Sequence, residues 1–232
     1  WRKSGTISKE EVIDKLDMDG RFTICNMVVE MGAKCGFMPQ DKKTFDWLKP
    51  KLGKNIKIEQ VAADKNADYK KVLKFNISRL KPQVSIPHSV DNVKTVEQLK
   101  GIKINEAFLG TCTNARLEDF KIAAKILKSK MVAGGVKFII APSSREIFLQ
   151  SLKLGLVDIF IKAGAVILTP GCGPCVGTHG GIPADGEIVI SSANRNFKGR
   201  MGNPNAFIYL ASPATVTASA IKGYITDPRK YL

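Results

Sequence analysis

Residues 171–179, GCGPCVGTH, hold Cys172 and Cys175 in a C-x-x-C spacing, with glycines before, between and after them and His179 close by. Three chemistries use such a loop. A redox dithiol would cycle between two thiols and a disulfide, normally at the start of a helix. A structural zinc site would need four ligands, and only His179 and the distant Cys112 are at hand to complete one. An iron–sulfur cluster would take both thiolates into a larger shell. The spacing by itself does not choose among the three.

Cys112 shifts the balance. In FLGTCTNARLED it follows an apolar, strand-like run and leads into a helix, and Cys172 follows the similar run AVILTP. Thiolates at two strand ends can meet even with other strands between them in the chain. Three thiolates would hold three corners of a cubane and leave one iron open to water or a substrate oxygen as a Lewis acid, whereas an electron-transfer cluster would want four. A redox dithiol at Cys172 and Cys175 would instead leave Cys112 dispensable. Cys25 and Cys35 read as small buried hydrophobes. His179 is expected to pack or hydrogen-bond near the loop, and His88 in IPHSVDN to stabilise a connection.

The elements that must position these residues fall into two parts. The first third reads as helix-rich. SKEEVIDKL offers Ser8 and Glu11 as a capping box, and RFTICNMVVEMGAKCG reads as a mostly apolar helix stopping near Gly36. YKKVLKFNISRL alternates and predicts a strand. KPQVSIPHSVDNVKT, with two prolines, reads as a connection. The boundary it implies lies within residues 82–100 and divides the chain into domains of residues 1–90 and 91–232. Beyond it the pattern is regular. INEAFLGTC, VKFIIAP, AVILTPG, EIVISSA and AFIYLAS predict strands. NARLEDFKIAAKILKSK predicts a helix with Leu117, Phe120, Ala124 and Leu127 on one stripe. SSREIFLQSL predicts another, opened by Ser143 and Glu146, and PATVTASAIKG closes the series. Alternating apolar strands and helices predict an α/β layer fold with a mainly parallel sheet. Ligands of such sheets sit beyond the carboxyl ends of the strands, where Cys112, Cys172 and the loop from Asn194 to Arg200 all fall.

Composition narrows the partners. With 232 residues, 44% hydrophobic and 25% charged, the chain has ample core and no disordered character. No run approaches the ~18 apolar residues of a membrane span, and WRKSGTISKEEVIDKL lacks the apolar region of a secretory signal. A cytoplasmic protein without a membrane partner is expected. The opening at Trp1 suggests a piece of a longer chain. The net charge of +15 comes from 36 Lys and Arg against 21 Asp and Glu, but the lysines are scattered with little aromatic interleaving. They read as a solvated surface rather than a nucleic-acid stripe. Five cysteines without signs of secretion give no disulfide framework.

Four stretches carry a resemblance: GTCTNARLED, TPGCGPCVGTHGG, SSANRNFKGRMGNP and YLASPATVTASAIKGYITDP. Together with DGRFTICNMVVEMGAK upstream, they resemble the aconitase/isopropylmalate isomerase family of hydro-lyases from about Asp17 to the carboxyl terminus, weakly only in the lysine-rich middle. The resemblance implies a three-layer α/β/α fold of the aconitase iron–sulfur domain type and one 4Fe–4S cluster held by Cys112, Cys172 and Cys175. It implies dehydration and rehydration of a hydroxy di- or tricarboxylate: isopropylmalate in leucine synthesis, or homocitrate and homoaconitate as the alternative. An RNA-binding relative of aconitase is a remoter one.

By motif, the substrate-carboxylate arginines of the family fall on Arg195 and Arg200, its cluster-supporting asparagines on Asn194 and Asn26, and its acidic active-site residue on Glu30. The residue types agree. Guanidinium groups suit bidentate carboxylate binding, Gly199 lets backbone approach a ligand, and Asn26 and Glu30 stand i,i+4 among apolar neighbours where polar groups need partners. The resemblance further implies an amino-terminal part expected before Trp1. It also implies a small swivelling-domain subunit as partner, in a heterodimer or heterotetramer, so that this chain alone would carry a cluster without turning over substrate.

Overall fold

The computed structural model describes residues 4–6, 11–53 and 58–232. They form two compact units, Trp1–Leu80 and Lys81–Leu232.

The first unit contains β1 (Ser4–Thr6), α1 (Glu11–Lys15), α2 (Met18–Met27), a 3-10 turn (Val28–Met31), β2 (Cys35–Phe37) and α3 (Lys42–Leu48). Ser8 of the expected capping box lies outside the described residues. Asp17 caps α2 by accepting a hydrogen bond from Gly20 N at 2.8 Å. The helical run ends at Gly32, not near Gly36, because Gly32 takes a left-handed conformation (φ +79°) that terminates the 3-10 turn. Cys35–Phe37 is then a strand, paired in parallel with β1. Asp41 caps α3 through Thr44 N and also accepts from both terminal nitrogens of the buried Arg21, at 2.8 and 2.6 Å. Residues 69–80 are not a strand: Val72, Leu73, Phe75, Ile77 and Leu80 are exposed. Alternation stabilises a strand only where a sheet edge pairs with it and a face covers it, and the described residues of this unit supply neither.

The second unit runs β3 (Gln83–Ser85), β4 (Val93–Thr95), β5 (Glu106–Leu109), α4 (Leu117–Leu127), β6 (Lys137–Ile140), α5 (Arg145–Lys153), α6 (Leu156–Lys162), β7 (Val166–Ile167), α7 (Gly173–Val176), β8 (Ile188–Ser191), β9 (Phe207–Ala211) and α8 (Pro213–Lys222). Seven strands make one sheet in the order β4-β3-β9-β8-β5-β6-β7. The five from β5 to β9 are parallel, as the apolar runs predict, and β3 and β4 add an antiparallel edge. The residues read as a connection are thus part of the sheet. Pro82 and Pro87 flank β3 rather than interrupt it, so its ladder survives.

Leu109, Phe120, Leu127, Phe160 and Val216 bury the sheet face toward α4, α6 and α8. Phe120, Ala124 and Leu127 of the predicted stripe are buried, and Leu117 packs at its edge. Phe108, Ile139, Val189, Met201 and Ile208 bury the other face, which α7 and its neighbouring loops cover. The cap of α5 is Ser144 rather than Ser143: its Oγ accepts from Ile147 N at 3.2 Å. Among the described residues no helix is long and apolar enough to cross a membrane.

Candidate functional site

The strand order creates a switch point. From β5 the chain moves outward through β6 and β7, then returns to β8 on the other side of β5 and continues to β9. Where neighbouring parallel strands send their connections in opposite directions, their carboxyl ends leave a crevice. Cys112 follows β5 at that crevice, and the loop from Asn194 to Arg200 follows β8. Ser192 ties the two together. Its Oγ donates to Gly110 O at 2.5 Å and accepts from Gly110 N at 3.1 Å, while Asn114 Nδ2 donates to Ser192 O at 2.8 Å. Thr111 and Thr113 place their hydroxyls 3.9 Å from the exposed Cys112 Sγ.

Cys172 and Cys175 leave β7 farther along the sheet, and the C-x-x-C turn brings them back across its face. Cys172 precedes α7 and is exposed. Cys175, inside α7, is buried with Phe108, Ala193 and Met201. A C-x-x-C turn entering a helix is also what a redox dithiol would use, so the local geometry alone leaves that chemistry open. His179 lies against the backbone at Gly173, where an added Cβ would come within 2.9 Å of its ring, so it packs on the turn. His88 rests on Phe207, with ring centroids 5.7 Å apart.

The C-x-x-C turn and the arginine loop meet directly. Arg200 Nη2 donates to Cys175 Sγ at 3.3 Å, and its guanidinium lies over the Phe197 ring at 5.5 Å. Behind them two glycines touch backbone to backbone: a Cβ on Gly177 would sit 2.1 Å from Gly202 N, and both residues have positive φ. Asn196, fully buried, anchors the loop by donating to Ile86 O and Ile208 O at 3.0 and 3.2 Å. Asn194 is buried and Arg195 partly so.

Motif reading identified none of Gly177, Gly202, Ser192 or Asn196 as site-building. The one available signal was positional: each glycine stands two residues after a candidate functional residue, Cys175 or Arg200.

Asn26 and Glu30 belong to the first unit and do not share an α-helical face. Asn26 is half-buried in α2, and Glu30 is exposed in the 3-10 turn, where the tighter winding changes the angle between them. Among the described residues, no three His, Cys, Asp or Glu side chains stand close enough to hold one metal ion.

The sheet is mainly parallel, and two glycine-bearing loops meet beside its switch point. The chain matches the aconitase family (aconitate hydratase) over residues 10–101 and 92–223, and it belongs to that family. Among curated proteins it is 55% identical to the 3-isopropylmalate dehydratase large subunit of Elusimicrobium minutum, over 95% of this chain and 52% of that one. It is 51% identical to 3-isopropylmalate dehydratase large subunit 2 of Archaeoglobus fulgidus, over 96% and 53%. It is also 49% identical to the methanogen homoaconitase large subunit of Methanocaldococcus jannaschii, over 94% and 53%. The chain spans about half the length of the curated relatives it matches.

Proposed function

We propose that this chain is the cluster-bearing part of a large subunit that interconverts 2- and 3-isopropylmalate by removing and re-adding water, in the cytoplasm, on the route to leucine. The observation that carries this reading is the contact between Arg200 and Cys175, locked from behind by Gly177 and Gly202. It sets a guanidinium, the group suited to bidentate carboxylate binding, from one loop on a sulfur of the other, so that a candidate cluster ligand and a candidate substrate anchor meet at one point. The donor set also fits a 4Fe–4S cluster better than a single zinc. It is all sulfur and carried on separate turns, and a cubane takes each thiolate at a different iron, so its ligands stand farther apart than those of one ion. When bound, such a cluster supplies a Lewis-acidic iron that weakens the bond to the departing hydroxyl.

The chain's own residues have distinct tasks in this reading. Cys112, Cys172 and Cys175 hold the cluster. Arg195 and Arg200 bind and orient substrate carboxylates, with Phe197 fixing the plane of the Arg200 guanidinium. Asn194, held in the buried stretch after β8, supports the cluster end of the site. Asn26 and Glu30 are assigned by motif, as a supporting amide and an acid–base group. The partner is a small subunit, since the relatives are themselves named large subunits.

Anaerobic reconstitution tests the cluster: iron and sulfide near four per chain, lost in Cys112→Ala, are expected, and a Cys112→Ala chain that loads normally would sink the assignment. A homoaconitase is the second reading, favoured by the 49% identity to the Methanocaldococcus protein. Assays of the assembled enzyme on both substrates decide between them.

A further inference from the structure

At the other end of β5 from Cys112, a carboxyl group is built into the apolar layer of the sheet. Glu106 opens β5 and shares a face with Phe108, two residues on. It is fully buried, and neither carboxyl oxygen has a hydrogen-bond partner. The nearest charge is Lys137, the first residue of β6, with Nζ 3.5 Å from Glu106 Oε2. That is an ion-pair distance, too long for a good hydrogen bond.

Lys137 is engaged elsewhere: it donates to Glu187 Oε2 at 2.7 Å, and the same oxygen accepts from Ala184 N at 2.8 Å, closing the turn that leads into β8. Lys137 from β6 and Glu187 from that turn are the charged groups facing Glu106. Over the carboxyl lies Gly181, where an added Cβ would be 3.5 Å from both Glu106 Oε1 and Pro174 Cγ. One glycine therefore separates the buried acid from the turn that carries Cys172 and Cys175.

We propose that Glu106 is a proton switch for the segment leaving the C-x-x-C turn. Neutral, it leaves Lys137 to Glu187 and the turn at residues 183–187 closed. Ionised, it draws the ammonium toward itself and loosens that turn. Burial pushes the Glu106 carboxyl up to about 7, Lys137 opposes the rise, and Glu187 adds to it. Burial also works against the charge on Lys137, but the hydrogen bond to Glu187 and the charge of Glu106 outweigh it and hold its pKa above the ordinary value. Lys137 therefore stays cationic while Glu106 titrates.

The sign follows. The folded chain keeps a proton that the unfolded chain releases at the ordinary glutamate pKa, so the stability tied to it is full below that pKa and is lost as the pH rises from there through about 7. The switch does not depend on any cluster and operates in the bare chain.

Carboxyl 13C NMR of the 232-residue chain reads the proton on Glu106, and amide exchange of residues 184–187 reads the turn. A Glu106 titration centred near neutrality is expected, with exchange rising several-fold beyond the intrinsic rate at the same midpoint. Glu106→Gln should abolish the exchange step and keep the turn at its low-pH protection. Lys137→Met, which leaves the acid without its cation, should move the Glu106 midpoint upward. A Glu106 that titrates at the ordinary carboxylate value, an exchange step that persists in Glu106→Gln, or a Lys137→Met midpoint that stays in place overturns the proposal. The titration of the unsubstituted chain decides it even if Glu106→Gln fails to fold.

Discussion

Arg200 has two partners that ask different things of it. Its Nη2 lies on Cys175 Sγ, and its face lies on Phe197, so the guanidinium is held in one plane by two contacts. A lysine at this position keeps the charge but loses the fork and the stacking surface. Arg200→Lys is therefore expected to cost about 1.5–3 kcal/mol of carboxylate binding, a loss of roughly 10- to 150-fold in kcat/KM, while iron and sulfide per chain stay unchanged. Steady-state kinetics of the assembled enzyme beside metal analysis separates the two effects.

Gly177 is tested differently. Alanine there meets the Gly202 backbone, whereas Gly186, also at positive φ, has open space around it. Gly177→Ala should lose about 1–3 kcal/mol to overpacking on top of the strain of roughly 1 kcal/mol that both substitutions share, read as the difference between their urea midpoints. The cysteines and arginines stand out in the sequence as candidates because their chemistry shows in their type. The glycine pair was not, because its meaning lies in a backbone contact between residues twenty-five apart.

At the scale of elements, the parallel strands were legible for a related reason. KFII and IVIS each carry three consecutive apolar residues, FII and IVI, with no polar alternation between them, as strands covered on both faces require. The misreadings share a cause: alternation and proline are local signals, while a strand exists by virtue of its neighbour. Residues 69–80 alternate and stay unpaired, whereas β3, bracketed by prolines, finds β9. The switch point depends on strand order, which periodicity does not carry. Ser192 shows how tightly that point is sewn, and Ser192→Ala, which leaves the buried Gly110 N without its acceptor, should cost about 1–3 kcal/mol, measured as a fall in the urea midpoint of the second unit.

In the first unit the corresponding staple is ionic. The Arg21 guanidinium, hydrogen-bonded to Asp41, holds that carboxyl well below the usual carboxylate range. A depressed carboxylate contributes stability that is present above its ordinary pKa and is lost as the pH falls toward the folded value. Asp41→Asn keeps a helix cap but strands the buried Arg21. A loss of about 3–5 kcal/mol near neutral pH is expected, together with a flatter acid limb in the unit's pH–stability curve.

At the scale of the whole molecule, holding a cluster and turning over substrate separate. The three candidate cysteine ligands lie in the second unit, on loops fixed by its own sheet through Ser192, Gly177 and Gly202. Cluster loading should therefore need nothing beyond this chain. Turnover is a different matter. The relatives are large subunits of which this chain covers about half, and the two candidate carboxylate-binding arginines, Arg195 and Arg200, stand on a single loop after β8. A hydroxy acid with several carboxylates needs further groups to orient it and to take up its proton, because positioning supplies much of the rate. The reconstituted chain alone is therefore expected to show near-stoichiometric cluster and no measurable dehydration of isopropylmalate or homocitrate. Activity should appear when the remainder of a large subunit and a small subunit are supplied. Ultraviolet detection of the unsaturated intermediate, run beside iron analysis on the same sample, distinguishes the cases. Turnover by the isolated chain would mean that the second unit already encloses its substrate, and an assembled enzyme that is loaded yet silent on both acids would move the substrate to another member of the hydroxy polycarboxylate class.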